Sequence, residues 1–169
     1  KNLEVIKSQL NDSLNFDSLS NVKKVEVDVL LAEYIWDLIR FNKDEIEKDF
    51  ASLYEGKKKS GEDKIRGKVF NGVHLLSPDN IIIEEGAVIK PGCVIDGSSG
   101  PVIIDKNAFI YPNAVIEGPV YIGEDSKIKA GAFIYDGVSV GKVCKIGGEV
   151  EASIIMPFSN KQHAGFLGH

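Results

Sequence analysis

Residues 104–128, IDKNAFIYPNAVIEGPVYIGEDSKI, carry an isoleucine at every sixth position: Ile104, Ile110, Ile116, Ile122 and Ile128. The series extends both ways. Ile83, Ile89 and Ile95 precede it across a three-residue slip at Asp96–Pro101, and Ile134, Val140, Ile146 and Ala152 follow. Two residues before each aliphatic stands a small or medium one: Ala87, Cys93, Val102, Ala108, Ala114, Val120, Ser126, Ala132, Val138 and Cys144. A fixed period marks a repeat architecture in which each unit buries its apolar face only by stacking on the next. Strand alternation points both rows inward and the residue between them outward. Turn residues follow many of the aliphatics, as in Ile122-Gly123, Val140-Gly141, Ile146-Gly147 and Tyr111-Pro112-Asn113, so short strands and turns alternate. Three strands and three turns close one triangular coil.

Units of the type aliphatic-Gly-x-x-small-x, running from Ile81 to the end, resemble the hexapeptide repeat of left-handed parallel β-helices. That repeat occurs in acyltransferases and in the C-terminal half of many sugar-nucleotidyltransferases. The expected fold is mainly β: a left-handed parallel β-helix of hexapeptide repeats, preceded by a small α-helical N-terminal segment. A left-handed coil runs against the usual right-handed crossover, so the handedness rests on the resemblance and not on the spacing.

Outward residues read eighteen apart, allowing for the slip, give three rows: Ile82, Ile103, Tyr121, Ser139; then Val88, Phe109, Lys127, Lys145; then Val94, Val115, Phe133, Glu151. Each begins apolar and turns polar. Large exposed apolar patches mark interfaces, so the early coils are expected to be covered by the N-terminal segment or by other subunits.

The chain has 169 residues, 43% hydrophobic and 27% charged, with a net charge of -5. That size suits one domain, or one and a part. The charge gives no support to nucleic-acid binding by bulk electrostatics. No apolar run approaches membrane-spanning length and no signal peptide opens the chain, so no membrane partner is expected and a cytoplasmic location is. Cys93 and Cys144 both occupy the small inward slot and read as core, too far apart along a stack for a disulfide and without metal-site spacing. The chain opens on Lys1 and stops at Leu167-Gly168-His169, which reads as a fragment whose β-helix is truncated at its C-terminal end.

Three divisions are expected: a helical segment over 1–55, a charged linker over 56–68 and the β-helix over 69–169. Leu3, Ile6 and Leu10 have helical spacing, and the Ser/Asn/Asp-rich residues from Asn11 to Asn21 read as a loop. Val25 to Val29 alternates like an edge strand. Leu30, Leu31, Tyr34, Ile35, Leu38 and Ile39 mark one amphipathic helix. Asn42, with Glu45 three residues on, reads as the capping box of a second helix carrying Ile46, Phe50 and Leu53; Trp36 and Phe41 read as packing residues. Lys57-Lys58-Lys59 reads as a solvated run, and His74, at the edge of an apolar segment, as structural.

The pattern Trp36-Asp37-Leu38-Ile39, Asn42, Glu45-Ile46, Asp49-Phe50 resembles the join between the halves of bacterial nucleotidyltransferases related to the bifunctional N-acetylglucosamine-1-phosphate uridyltransferase. The resemblance implies that residues 1–55 are the tail of a missing Rossmann-like nucleotidyltransferase domain, to which any Mg²⁺ requirement belongs. It also implies a homotrimer, and a sugar phosphate or nucleotide sugar as small-molecule partner.

After Ile155 the repeat breaks into Met156-Pro157-Phe158-Ser159-Asn160-Lys161-Gln162-His163-Ala164-Gly165-Phe166, an excursion before Leu167-Gly168. Loops thrown out from a rigid scaffold are where function concentrates. By itself His163 is a loop histidine, and Asn160 and Lys161 are loop caps and solvated charge. His163 followed three positions later by Phe166-Leu167-Gly168 resembles the acetyltransferase half of the bifunctional enzymes. There the histidine is the general base that deprotonates a sugar amine as it attacks the acetyl-CoA thioester, a task suited to a pKa near neutral. The resemblance implies that His163 is catalytic, that Asn160, Lys161 and Phe166 bind substrate or CoA, and that no metal takes part. Phe166 stands where the family usually has Tyr, and Glu149-Val150-Glu151-Ala152-Ser153 lacks the family's sugar-phosphate lysines, so a different acceptor is expected.

The competing expectation is a non-catalytic β-helix that trimerises the protein or binds a nucleotide sugar as a regulator. A zinc carbonic anhydrase on the same fold needs three converging imidazoles; His74, His163 and His169 are the only histidines, and His74 lies several coils away. An ice-binding surface is disfavoured because no outward row is a threonine array.

Overall fold

A computed structural model describes residues 25–27 and 29–168. The expectations for residues 1–24 lie outside the described residues. Two compact units divide the chain, Lys1–Leu31 and Ala32–His169; among the described residues, the helix and the strands fall in the second.

The second unit is a parallel β-solenoid of about six turns, built on three parallel sheets of six, six and five short strands. The first face stacks Ile81–Ile83, Val102–Ile104, Val120–Ile122, Val138–Val140 and Ser153–Ile155. A second, lysine-bearing face stacks Lys68–Val69, Val88–Ile89, Phe109–Ile110, Lys127–Ile128, Lys145–Ile146 and Asn160–Lys161; the third runs from His74–Leu76 to Phe166–Leu167. The register is the one that the period demands: Val120 lies against Val138 and Val102, Lys127 against Phe109 and Lys145. The isoleucines from Ile83 to Ile146 and the small row between them are buried with zero or near-zero exposure, Cys93 and Cys144 included. Each such isoleucine removed from water contributes about 1.5–3 kcal/mol.

The corners explain the turn residues. Gly86, Asn107, Asp125 and Val143 stack at one corner in the left-handed conformation, with φ of 78°, 57°, 58° and 59°. A Cβ on Gly86 would stand 2.1 Å from the Asn107 side-chain oxygen, so the glycine makes room for the amide above it. Val143 is the odd member, because a β-branched residue is strained there.

The register departs from the expected period at both ends. Coils precede the repeat that begins at Ile81, because Ile65 bridges Ile83 and Lys68–Val69 and His74–Leu76 pair with the coil above. A 3₁₀ turn at Pro78–Asn80 lengthens this first coil and hides its period. At the other end the coil shortens. Glu149, not Glu151, lies opposite Phe133, and Val150 takes the inward place expected for Ala152, which sits instead at φ 40°.

The N-terminal expectations change more. Val25, Glu26, Val27 and Val29 form no strand. In place of the two helices expected between Leu30 and Leu53 there is, among the described residues, one, α1, from Asp37 to Ser60, closed by Gly61 in the left-handed conformation. Leu30, Leu31, Tyr34 and Ile35 precede it; Trp36 is half exposed and stacks on Tyr34 with ring centroids 4.7 Å apart. Helix α1 continues through the start of the stretch read as linker. Its buried stripe is Asn42, Ile46 and Lys57, with Phe50 partly buried, spacings that share one helical face. Ile46 and Phe50 cover Ile82, Ile103 and Tyr121 on the first face, so the N-terminal helix hides that apolar row.

Asn42 is therefore no N-cap. Its amide donates to the Gly137 carbonyl at 2.9 Å and its oxygen accepts from Ser139 Oγ at 2.7 Å, while Glu45 pairs with Lys48. Near the other end of α1, Lys57 reaches Glu84 at 2.6 Å, and Arg66 binds Glu84 and, at 2.8 Å, Glu62. Burial pushes the Glu84 carboxyl up, but the hydrogen bonds from Lys57 and Arg66 outweigh it and hold the group below its ordinary value.

Candidate functional site

The stretch read as an excursion is largely another coil. Asn160–Lys161 pairs with Lys145–Ile146, and Phe166–Leu167 with Glu149–Val150. Only Gln162–Gly165 protrudes, at the corner between the lysine face and the third face. This places the four expected site residues in different roles. Asn160 points outward above Lys145, Phe166 outward above Glu149 and more than half exposed, and His163 stands exposed at the corner. Together residues 160–166 line a concavity of about 300 Å³.

Lys161 behaves differently. The register puts it over Ile146, in the inward row that aliphatics fill in the coils below. Its Nζ donates to the carbonyls of Gly147 at 2.6 Å, Gly165 at 2.8 Å and His163 at 3.3 Å. An ammonium has three donors, and all three go to backbone within the corner.

The sequence below the corner is shaped to admit it. Gly148 has φ 72°, and a Cβ there would stand 2.6 Å from the Gly165 carbonyl oxygen and 2.9 Å from Lys161 Nζ. The corner's ends are tied into the ladder, with Gly147 N donating to Lys161 O at 2.6 Å and Glu149 N to Gly165 O at 3.0 Å. The result is a rigid seat under a short protruding loop. His163 and Asn160 are polar groups of the concavity and the Phe166 ring is part of its lining.

Two other concavities lie away from this corner. One of about 330 Å³ is lined by Asp49, Ser52, Leu53, Ile103, Asp105 and Tyr121. There Tyr121 donates to Asp105 at 2.8 Å, and burial first, then that carboxylate, pushes its hydroxyl well above the usual phenol range. The other, about 360 Å³ between the start of α1 and Ile154 and Met156, is apolar. Burial likewise pushes the Cys93 thiol up, as befits core. Among the described residues no three His, Cys, Asp or Glu side chains gather as a metal site, and His74 is exposed in its strand. Nor is any described helix long and apolar enough to cross a membrane.

Residues 101–136 match the model of the bacterial transferase hexapeptide (six repeats). An alignment of 121 residues, covering 58% of this chain and 26% of the relative, is 27% identical to the bifunctional protein GlmU of Clostridium novyi (strain NT). The bifunctional proteins GlmU of two Clostridium kluyveri strains match over the same shares at 28% identity. The chain spans about a quarter of the length of these relatives. It contains a left-handed hexapeptide-repeat domain similar to theirs, and the likeness is to transferases in general.

Proposed function

We propose that this chain is the β-helical part of a sugar-1-phosphate nucleotidyltransferase-like protein that transfers an acetyl group from acetyl-CoA to an amino-sugar 1-phosphate. The observation that carries the reading is the seating of His163 at the lip of the 160–166 concavity, on a corner locked into the ladder. In the reaction the sugar amine attacks the thioester carbonyl carbon, forming the C–N bond. His163 accepts the amine proton, and the C–S bond breaks to release the CoA thiolate, which takes up a proton. A positioned base of this kind contributes about 10²–10⁴-fold. In this reading Asn160 orients the sugar and Phe166 packs against the acyl arm.

A second reading is favoured by the two faces that α1 leaves uncovered. Val88, Phe109, Val94 and Val115 are partly exposed there, and Phe133 more so. Such apolar rows suit packing of solenoids side by side, as in a homotrimer, with the β-helix serving assembly or nucleotide-sugar regulation and no chemistry. Any Mg²⁺-dependent nucleotidyl transfer belongs to a further domain, and the cytoplasm is the compartment in which acetyl-CoA and sugar phosphates meet.

The test is acetyl-CoA-dependent acetylation of a panel of amino-sugar 1-phosphates by the full-length protein beside His163→Ala. The expected result is a loss of about 10²–10⁴-fold in kcat with unchanged unfolding. Absence of turnover in the unsubstituted protein with every amino sugar leaves the assembly reading.

A further inference from the structure

We infer that Lys161 is the positioning residue of the His163 corner, and not a ligand for the phosphates of CoA. The inference deepens the acetyltransfer reading and rests on it only where activity is concerned.

The residue stands where the repeat calls for an aliphatic side chain. Ile110, Ile128 and Ile146 fill the equivalent place in the coils below, each fully buried. A lysine there carries its charge towards the interior, and a charge leaving water needs partners. The partners are the carbonyls of Gly147, His163 and Gly165, drawn from two successive turns of the solenoid. One belongs to the coil below and two to the protruding loop, including His163 itself. Hydrogen bonds from a charged donor are about twice as strong as neutral ones. The ammonium thus ties both the base and the far end of its loop to the finished coil beneath, and fixes the height of the imidazole above the stack.

The same geometry removes Lys161 from phosphate binding. An incoming phosphate would have to draw the ammonium away from three carbonyls, of which only that of Gly165 keeps a backbone donor, the Glu149 N–H. Gly148 completes the seat, because any side chain there would meet the ammonium at 2.9 Å. The arrangement therefore depends on a lysine and a glycine together, thirteen residues apart in the chain.

Lys161→Met keeps the length and removes the charge, and Gly148→Ala keeps the charge and fills its seat. Two readouts are needed. Hydrogen exchange is followed at the Gly147 and Glu149 amides, which donate to the two ends of the loop, and kcat and KM for acetyl-CoA are measured separately. In both variants exchange at these amides is expected to speed up at least ~10-fold, while amides in the lower coils, such as Lys127, keep their protection. Turnover is expected to fall in kcat with KM for acetyl-CoA unchanged, since the base is displaced and the carrier is not.

A rise in KM for acetyl-CoA with unaltered exchange at Gly147 and Glu149 would overturn the inference and make Lys161 a phosphate ligand. Unaltered exchange with unaltered kinetics would overturn it too. If the unsubstituted protein acetylates nothing, the acetyltransfer reading fails by itself. The exchange measurement still decides whether Lys161 holds the corner.

Discussion

Replacing Asn42 by alanine removes the buried polar contact by which the upper half of α1 docks on the solenoid, and leaves the exposed Lys43–Asp136 pair in place. The amide makes one buried and one part-buried hydrogen bond, donating to the Gly137 carbonyl at 2.9 Å and accepting from Ser139 Oγ at 2.7 Å. A typical hydrogen bond contributes about 0.5–1.5 kcal/mol net, and a buried partner left unpaired costs about 1–3 kcal/mol. The Gly137 carbonyl loses its side-chain donor but keeps the Ser153 N–H at 3.1 Å, so it is not left unpaired. The Ser139 hydroxyl is half-buried and recovers part of its loss from water. The expected destabilisation is thus about 1–3 kcal/mol, against about 0.5 kcal/mol or less for an exposed polar residue of the same helix. Urea unfolding gives the total, and hydrogen exchange of the α1 amides shows where it falls. The lower half of the helix, held by Ile46, Phe50 and Lys57, should keep more protection than the upper. A further control is Asn42→Asp, which keeps an acceptor for Ser139 but sets a carboxylate against the Gly137 carbonyl and should be no better than alanine. A change below about 0.5 kcal/mol for Asn42→Ala would refute the docking geometry, because one buried and one part-buried bond together are expected to cost about 1–3 kcal/mol.

Val143→Asn, which gives the corner above Asp125 a residue suited to φ 59°, is expected to stabilise by about 1 kcal/mol; a fall in the urea midpoint would contradict the strain assigned to the valine. The Glu84 network sets an acid limit: its folded carboxyl lies below the ordinary value of 4.5. Its stabilisation is full above that value and is lost as pH falls through the folded one. The urea midpoint between pH 6 and pH 3 should therefore drop more steeply in the natural protein than in Glu84→Gln, and parallel curves would remove the network from the account.

The solenoid was legible because its cause is local. Each coil repeats the same steric demand, so Ile104 to Ile146 state the inward row without reference to anything distant, and the buried cysteines follow from their slot. Legibility ended where spacing changed. Pro78–Asn80 lengthens the first coil, and the short passage from Ile146 to Val150 moves Glu149 into the place expected of Glu151. It also ended where a polar residue answers to a partner far along the chain. Asn42 looks like a helix cap until Gly137 and Ser139 stand beside it, ninety-five and ninety-seven residues on. Lys57 and Lys161 look solvated until Glu84 and three carbonyls accept their charges. At the candidate site His163 was visible as a residue type. The orientation of its neighbours was not, because facing inward or outward at residues 160–166 depends on a register that the pattern had already lost.

Helix α1 does more than cover an apolar row. Its upper end is fastened to Gly137 and Ser139, its middle to Ile103 and Ile82, and its lower end to Glu84 on the early coils. A bare stack of coils has only nearest-neighbour coupling and frays from its ends one rung at a time. A rod bolted across several rungs acts as a splint: no spanned rung can peel away without bending the rod or shearing a bolt. Under a pulling force the splinted rungs should yield in a single rupture, and the unsplinted ones near Phe166 in small successive steps.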